Sequence, residues 1–364
     1  MPAYFKGRLG VIQRVLPTYR APFFEKLAKS CSNGLSLFAG QPLKNESIVT
    51  TASLEGARVF AAQNVHIFSP GSPLYACYQR GLITWLESWN PDALVVEANF
   101  RYLSSNIAMR WMKKQNRPVL GWGLGAPVER GMPGMLRNRF LGQFDGMLAY
   151  SQRGADQYAA CGIPVDNIFV AHNAAVPAPL HPLPPRLPEY DGRPNVLFVG
   201  RLQARKRIPA LLKACASLPD ALKPQLVIVG DGPEMTGLKL LAAKIYPEAE
   251  FVGARHGPSL ESYFRRADLF VLPGTGGLAV QQAMSFGLPV IVARGDGTQD
   301  DLVRPENGWQ ITPEDDDVLF STLADALSDV FRLREMGVQS YRIVSAEINL
   351  ENMVEAFTRA LNWT

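Results

Sequence analysis

The chain has 364 residues, 47% apolar and 19% charged, with a formal net charge of +4. That length exceeds one comfortable core and fits two domains, and the composition excludes disordered and collagen-like chains. Residues 1–180 hold 18 Lys/Arg against 10 Asp/Glu (net +8), and the remainder holds 19 against 23 (net −4). A basic first half fits an anionic partner and fits chance surface charge equally well. Cys31, Cys77, Cys161 and Cys215 stand far apart, with no Cys-x-x-Cys pair and no histidine at zinc-ligand spacing. Buried reduced thiols, a cytoplasmic setting and no metal site are therefore expected. Residues 1–13 lack the apolar run of a signal peptide, and no window reaches the roughly 20 apolar residues of a membrane-spanning helix.

Along the chain, apolar runs alternate with stretches of helical period. Residues 9–15 read as a strand, and 22–29 as a helix with Phe23, Phe24 and Leu27 on one side. A buried strand at 93–96, a helix at 104–114 and strands at 118–121 and 146–150 follow. Strands separated by helices predict parallel pairing in an α/β sheet. Residues 128–144 set Arg130, Arg137 and Arg139 among Met132, Met135, Leu136, Phe140 and Leu141. That pattern suits an anionic membrane surface, and suits better a core-facing helix with solvated arginines. Seven prolines between residues 176 and 194 exclude helix and interior strand, which marks a linker between domains. The rhythm then restarts, with strands at 196–199, 226–229, 250–252, 269–272 and 290–292 and helices at 208–217 and 235–245. An amphipathic helix at 350–361 closes the chain.

The chemistry concentrates in the second half. Ligands of open α/β sheets bind at the carboxyl ends of strands, and the strand at 196–199 delivers Gly200, Arg201 and Lys206 there. Two cations at a strand end suit a diphosphate, whose departure needs its growing negative charge neutralised. A solvated basic loop is the competing reading. Gly230-Asp231-Gly232-Pro233-Glu234 forms a tight turn after a strand, and Gly274-Thr275-Gly276-Gly277-Leu278 opens a helix. Glycines at a helix start let backbone approach a phosphate and expose oriented N–H groups, although they can also merely terminate a strand.

In this order and spacing the residues resemble family 4 of the retaining glycosyltransferases. The likeness is carried by Gly200-Arg201-Leu202 with Lys206, Gly230 to Glu234, Ala267-Asp268 through Leu272-Pro273, and Gly277-Leu278. Ala283-Met284 with Gly287-Leu288-Pro289-Val290-Ile291, and Asn307-Gly308, complete it, with weak extension to Ser151 and Asn173. The resemblance implies the GT-B fold, an α/β architecture of two Rossmann-like domains facing across a cleft. It gives an acceptor domain at 1–175, a linker at 176–194, a nucleotide-sugar domain at 195–344, and a helix at 345–364 packing back on the first domain. The implied activity is retaining, metal-independent transfer of a sugar from a nucleoside diphosphate to a glycan or lipid-linked acceptor, in surface polysaccharide or glycolipid synthesis. No cofactor is implied beyond the nucleotide sugar as co-substrate.

Carried onto this chain, the resemblance makes Arg201 and Lys206 the catalytic pair that holds and stabilises the leaving diphosphate. Gly200 and the backbone near Gly277 and Leu278 would bind the same phosphates, and Val252 to Arg255 would border the base. The family usually has two glutamates where this chain has Gly274 and Gln282. Gln282 is then expected to hold the ribose through its amide oxygen, leaving sugar recognition to Thr275, Gly276 or the loop 295–300. In the first half, Tyr19 and Arg20 follow a strand end and are expected to grip a sugar or phosphate, unless Tyr19 only caps the next helix. Asn99 and Trp122 follow two further strand ends on the acceptor side. None of His66, His172, His181 or His256 falls in those loops, so no general base is assigned. Expected partners are the donor, the acceptor and an anionic membrane surface, without nucleic acid, and peripheral attachment would be to the inner face. A nucleotide-sugar epimerase and a binder impaired in catalysis are the rival readings.

Overall fold

A computed structural model describes residues 4–363 apart from 44, 45, 47, 128, 130 and 296. Val128, Arg130 and Asp296, which belong to stretches read above, thus lie outside the described residues. The chain divides into two compact units, Met1–Ala175 with Leu350–Thr364, and Val176–Asn349.

The first unit is built on β1 (Leu9–Val15), β2 (Leu35–Gly40), β3 (Arg58–Ala61), a hairpin of β4 (Gln63–Ile67) and β5 (Ala76–Arg80), β6 (Ala93–Glu97), β7 (Val119–Gly123), β8 (Gly146–Ala149) and β9 (Ile168–Val170). Seven of these form one sheet in the order β3-β2-β1-β6-β7-β8-β9, parallel throughout. The second unit contains β10 (Asn195–Val199), β11 (Gln225–Val229), β12 (Glu250–Gly253), β13 (Leu269–Leu272), β14 (Val290–Ala293) and β15 (Gly308–Ile311). Its sheet, also parallel, runs β12-β11-β10-β13-β14-β15. Sheets covered on both faces need strands apolar on both faces, and β13 and β14 are buried at every position. The Ile208–Ser217 helix buries Ile208, Leu211, Leu212 and Cys215, the stripe expected of a helix laid on a sheet.

Each sheet reverses its winding once, between β1 and β6 in the first unit and between β10 and β13 in the second. At such a point the connections leave for opposite faces, and a crevice opens beyond the strand carboxyl ends. Both halves therefore own one topologically determined ligand position.

The proline-rich segment is not a free spacer. It belongs to the second unit, because side chains fasten what prolines keep out of regular structure. Arg186 donates to the carbonyls of Phe264, Ala267 and Phe286, and Tyr190 donates to the Leu327 carbonyl at 3.0 Å. The last helix, Leu350–Trp363, belongs to the first unit. Phe357 sits 4.9 Å from the Phe23 ring and 5.0 Å from Trp122, and Lys26 meets Glu351 at 2.8 Å. Because Phe357 is wholly buried, Phe357→Ala should cost about 3–5 kcal/mol and lower the melting temperature, measured by calorimetry on the whole chain.

Candidate functional site

At the second switch point the geometry starts from glycine. The Gly200 N–H donates to the Val229 carbonyl at 3.0 Å, and Gly230, at φ 146°, lies so close that any Cβ there would strike the Gly200 carbonyl oxygen. Beyond β10 the chain makes a short 3-10 turn, Ala204–Lys206. Arg207 then takes φ 55°, a left-handed conformation, with its guanidinium paired to Asp316. This reversal turns Lys206 inward, where it is only 6% exposed, and its Nζ donates to the Thr275 carbonyl at 2.6 Å.

The loop after β13 meets that turn backbone to backbone. The Thr275 N–H donates to the Arg205 carbonyl at 3.1 Å. A Cβ on Gly274 would run into the Arg205 carbonyl oxygen and come within 2.6 Å of the Lys206 carbonyl carbon. No side chain fits at 274 while the turn holds its place, which gives a steric reason for glycine where glutamate is usual in the family it resembles. Gly276, at φ 82°, would bring a Cβ to 3.3 Å from Lys206 Nζ and 3.4 Å from Arg205 Nη1, so glycine also keeps the approach to both cations open. The Leu278–Ser285 helix begins directly afterwards, with Gly277 at its N-cap and no side chain covering its first N–H groups.

Electrostatically this site is cationic. Burial, reinforced by the neighbouring Arg205 charge, pulls the Lys206 ammonium down to about 8. Among the described residues no carboxylate pairs with it. A buried cation facing a carbonyl and a second cation is uncomfortable until an anion arrives. Arg205 is a residue that the sequence reading passed over, although its place beside Lys206 was the available signal. Gly200 and exposed Arg201 stand at the same sheet end, where Val252 and exposed Arg255 follow on β12 and just beyond it. Gln282 is half-buried and shares a helix face with Leu278.

In the first unit two expected acceptor residues prove to be internal. Arg20 is 5% exposed; its Nη2 donates to Asn173 Oδ1 at 2.5 Å, and its guanidinium lies 5.3 Å from the ring centres of Tyr19, Trp122 and Tyr150. Trp122 is 1% exposed and edge-packed on Phe357. Their strand-end positions are as read, but the last helix and the aromatic stack occupy the side chains. Tyr19 is exposed, and Asn99 is half-buried with Oδ1 accepting from the Arg101 N–H at 3.1 Å. On the Met132–Leu141 helix, Met132, Met135 and Leu136 point outward at 74%, 72% and 59% exposure, while Phe140 and Leu141 are buried. Among the described residues no helix is long and apolar enough to cross a membrane.

Comparison with known proteins agrees with this arrangement. Residues 183–342, which contain the whole cationic site, match the family described as Glycosyl transferases group 1. The match lies within the second unit and falls on the same residues that carry the resemblance read from the sequence. Among curated relatives, a GDP-mannose-dependent monoacylated alpha-(1-6)-phosphatidylinositol monomannoside mannosyltransferase of Corynebacterium glutamicum is 31% identical over 185 residues, covering 47% of this chain and 48% of that one. A GDP-mannose-dependent alpha-mannosyltransferase of Mycolicibacterium smegmatis is 42% identical over 118 residues, 32% of this chain and 29% of that one. The matched segment thus spans about half the length of the first relative and less of the second. Among solved structures, the lipopolysaccharide outer core galactosyltransferase WaaB superposes with TM-score 0.70 at 18% identity, covering 96% of this chain and 99% of that one. Anabaena HepE, solved in complex with UDP, gives TM-score 0.70 at 14% identity, with 98% and 100% covered. The fold of this chain is the GT-B fold of two Rossmann-like units.

The depressed Lys206 pKa sets a pH dependence. The ammonium is charged below about pH 8 and neutral above it. Affinity for a nucleoside diphosphate, measured by calorimetry, should fall as pH rises from 7 to 9, and Lys206→Arg should flatten that fall because guanidinium stays charged.

Proposed function

We propose that this chain is a retaining, metal-independent glycosyltransferase that takes a sugar from a nucleoside diphosphate and passes it to a hydroxyl of a glycan or lipid-linked acceptor. The observation that carries the reading is the placing of buried Lys206 and neighbouring Arg205 by a glycine-capped helix start at Gly277, with no carboxylate among the described residues paired to Lys206. In the reaction the acceptor oxygen bonds to the anomeric carbon as the bond from that carbon to the phosphate oxygen breaks. The electron pair stays on the diphosphate, and the acceptor proton passes to the departing phosphate oxygen. Lys206 and Arg201 oppose the charge that develops there, a role worth several kcal/mol in a site kept from water. They supply the neutralisation that a divalent cation would otherwise give. Gln282 holds the ribose, and Gly276 faces the sugar through its backbone.

The assay uses the whole chain with radiolabelled GDP-mannose, UDP-glucose and UDP-galactose, in EDTA, with octyl glycosides as acceptors. Transfer with retention of anomeric configuration, or slow donor hydrolysis, is expected, and Lys206→Ala should lower it by at least ~10²-fold. Sugar isomerisation, or binding without turnover, would replace this reading by one of its rivals.

Exposed Met132, Met135 and Leu136 favour an acceptor held at a lipid surface, since three apolar side chains one turn apart sit with Arg139 on a basic half. Wild-type protein should sediment with phosphatidylglycerol vesicles and less with phosphatidylcholine. Replacing all three side chains by Ser should abolish most of that binding and leave the solution fold, followed by circular dichroism, intact.

A further inference from the structure

We propose that the carboxylate of Glu97, at the β1/β6 switch point of the first unit, receives the hydroxyl of a neutral polyol, and that this crevice rejects a phosphate group. The proposal rests on the transferase reading and deepens it by naming the chemistry of the acceptor end. Glu97 closes β6 at the place where the winding of the sheet reverses, the position at which such sheets take ligands. One carboxylate oxygen, Oε2, accepts from the Arg14 backbone N–H at 2.5 Å, which fixes the orientation of the group. Glu97 is half-buried, and no bond from the described residues to Oε1 stands beside the one to Oε2.

The nearby cations are already committed. Arg14 makes a two-pronged pair with Glu46, at 2.9 and 2.8 Å, and Arg20 is held by Asn173 inside its aromatic stack. Neither forms an ion pair with Glu97. A half-buried carboxylate fixed through Oε2 and lacking an ion pair keeps Oε1 available to a ligand. A hydroxyl would donate to that oxygen in a charge-assisted hydrogen bond. An incoming phosphate would meet a like charge, and the two arginines that face it are held by Glu46 and Asn173.

Other groups facing Glu97 are Arg14, Arg20, Tyr102, Tyr150 and Cys77. Burial pushes both phenols and the thiol upward, so all three are neutral near pH 7. Burial likewise pushes Glu97 up to about 7, against the pull of the Arg14 N–H and the Arg14 and Arg20 charges. Among these neighbours Glu97 is the group that changes charge near neutrality.

The test titrates the ¹⁵N-labelled whole chain with octyl α-D-mannopyranoside and, separately, with octyl phosphate. The mannoside should shift the amides of residues 14 and 97–99, and the phosphate should leave them still. Glu97→Gln keeps an amide oxygen for the Arg14 N–H and should bind the mannoside about tenfold more weakly, the difference between a charged and a neutral acceptor. Wild-type affinity should drop as pH falls from 8 to 6, where the carboxylate gains its proton, and Glu97→Gln should show no such drop. Glu97→Asp, which keeps the charge, should retain the pH dependence. Absence of mannoside shifts at these residues, equal affinity in Glu97→Gln, or equal shifts from octyl phosphate would each overturn the proposal. GDP and UDP titrated into the same samples separate the two claims. Nucleotide binding without a mannoside response defeats the inference alone, whereas no binding of either nucleotide defeats the transferase reading.

Discussion

The close approach of two backbones governs the second unit. Residues 205–206 and 274–276 touch through the Thr275 N–H to Arg205 carbonyl bond and the Lys206 ammonium to Thr275 carbonyl bond, across a gap that admits no Cβ at Gly274. That contact fixes where Lys206 points, because the ammonium must reach past its own turn to a carbonyl on the next loop. It also sets the start of the Leu278–Ser285 helix beside the cations. Widening the gap for a larger residue at 274 would release both at once.

The same contact stores unfavourable terms. Lys206 is held in the interior without an anion, and Arg207 occupies left-handed backbone that costs an ordinary residue about 1–2 kcal/mol. The Arg207–Asp316 pair ties that strain to the helix Asp316–Ser328, whose own start is capped by Asp315 accepting from the Val318 N–H at 2.9 Å. Strain and desolvated charge of this kind persist when the surroundings over-determine them, and they concentrate where a ligand relieves them. On the proposed reading a diphosphate would supply the missing charge, and binding and local relaxation would act in the same direction.

Legibility in the sequence follows the range of the interactions. The cationic site could be read because its parts are short segments with strong local requirements: apolar runs for β10 and β13, glycines where backbone approaches backbone, basic residues on the turn between. Arg20 and Trp122 were placed at strand ends, yet their use as packing partners depends on a helix more than two hundred residues away; Phe357 against Trp122 is invisible to any local pattern. The proline-rich segment gave its irregular backbone away but not its anchoring, which depends on Arg186 finding three carbonyls on distant elements. Strands β2 and β3 and the β4–β5 hairpin escaped because their short runs have no distinctive flanking chemistry. Glu97 was visible as a residue near a strand end, but its lack of an ion pair could only be seen once Arg14 was found on Glu46.

Net charge points away from the chemistry in both halves. Among the described residues, the basic first half presents at its switch point a carboxylate without an ion pair, and the acidic second half presents at its own a buried ammonium without one. A summed charge describes the outer field, whereas a desolvated group acts over a few ångströms in a medium that screens it poorly. The positive excess of residues 1–180 therefore speaks to encounters at the outer surface, such as that around Arg139 and the exposed methionines. On the proposed reading the two switch points would follow the demands of transfer instead. A leaving diphosphate gains charge and calls for cations, while a neutral acceptor hydroxyl calls for an oxygen to accept its hydrogen bond, its proton leaving on the phosphate. The same sheet topology, used twice, would then carry opposite charge because its two ligands differ in charge.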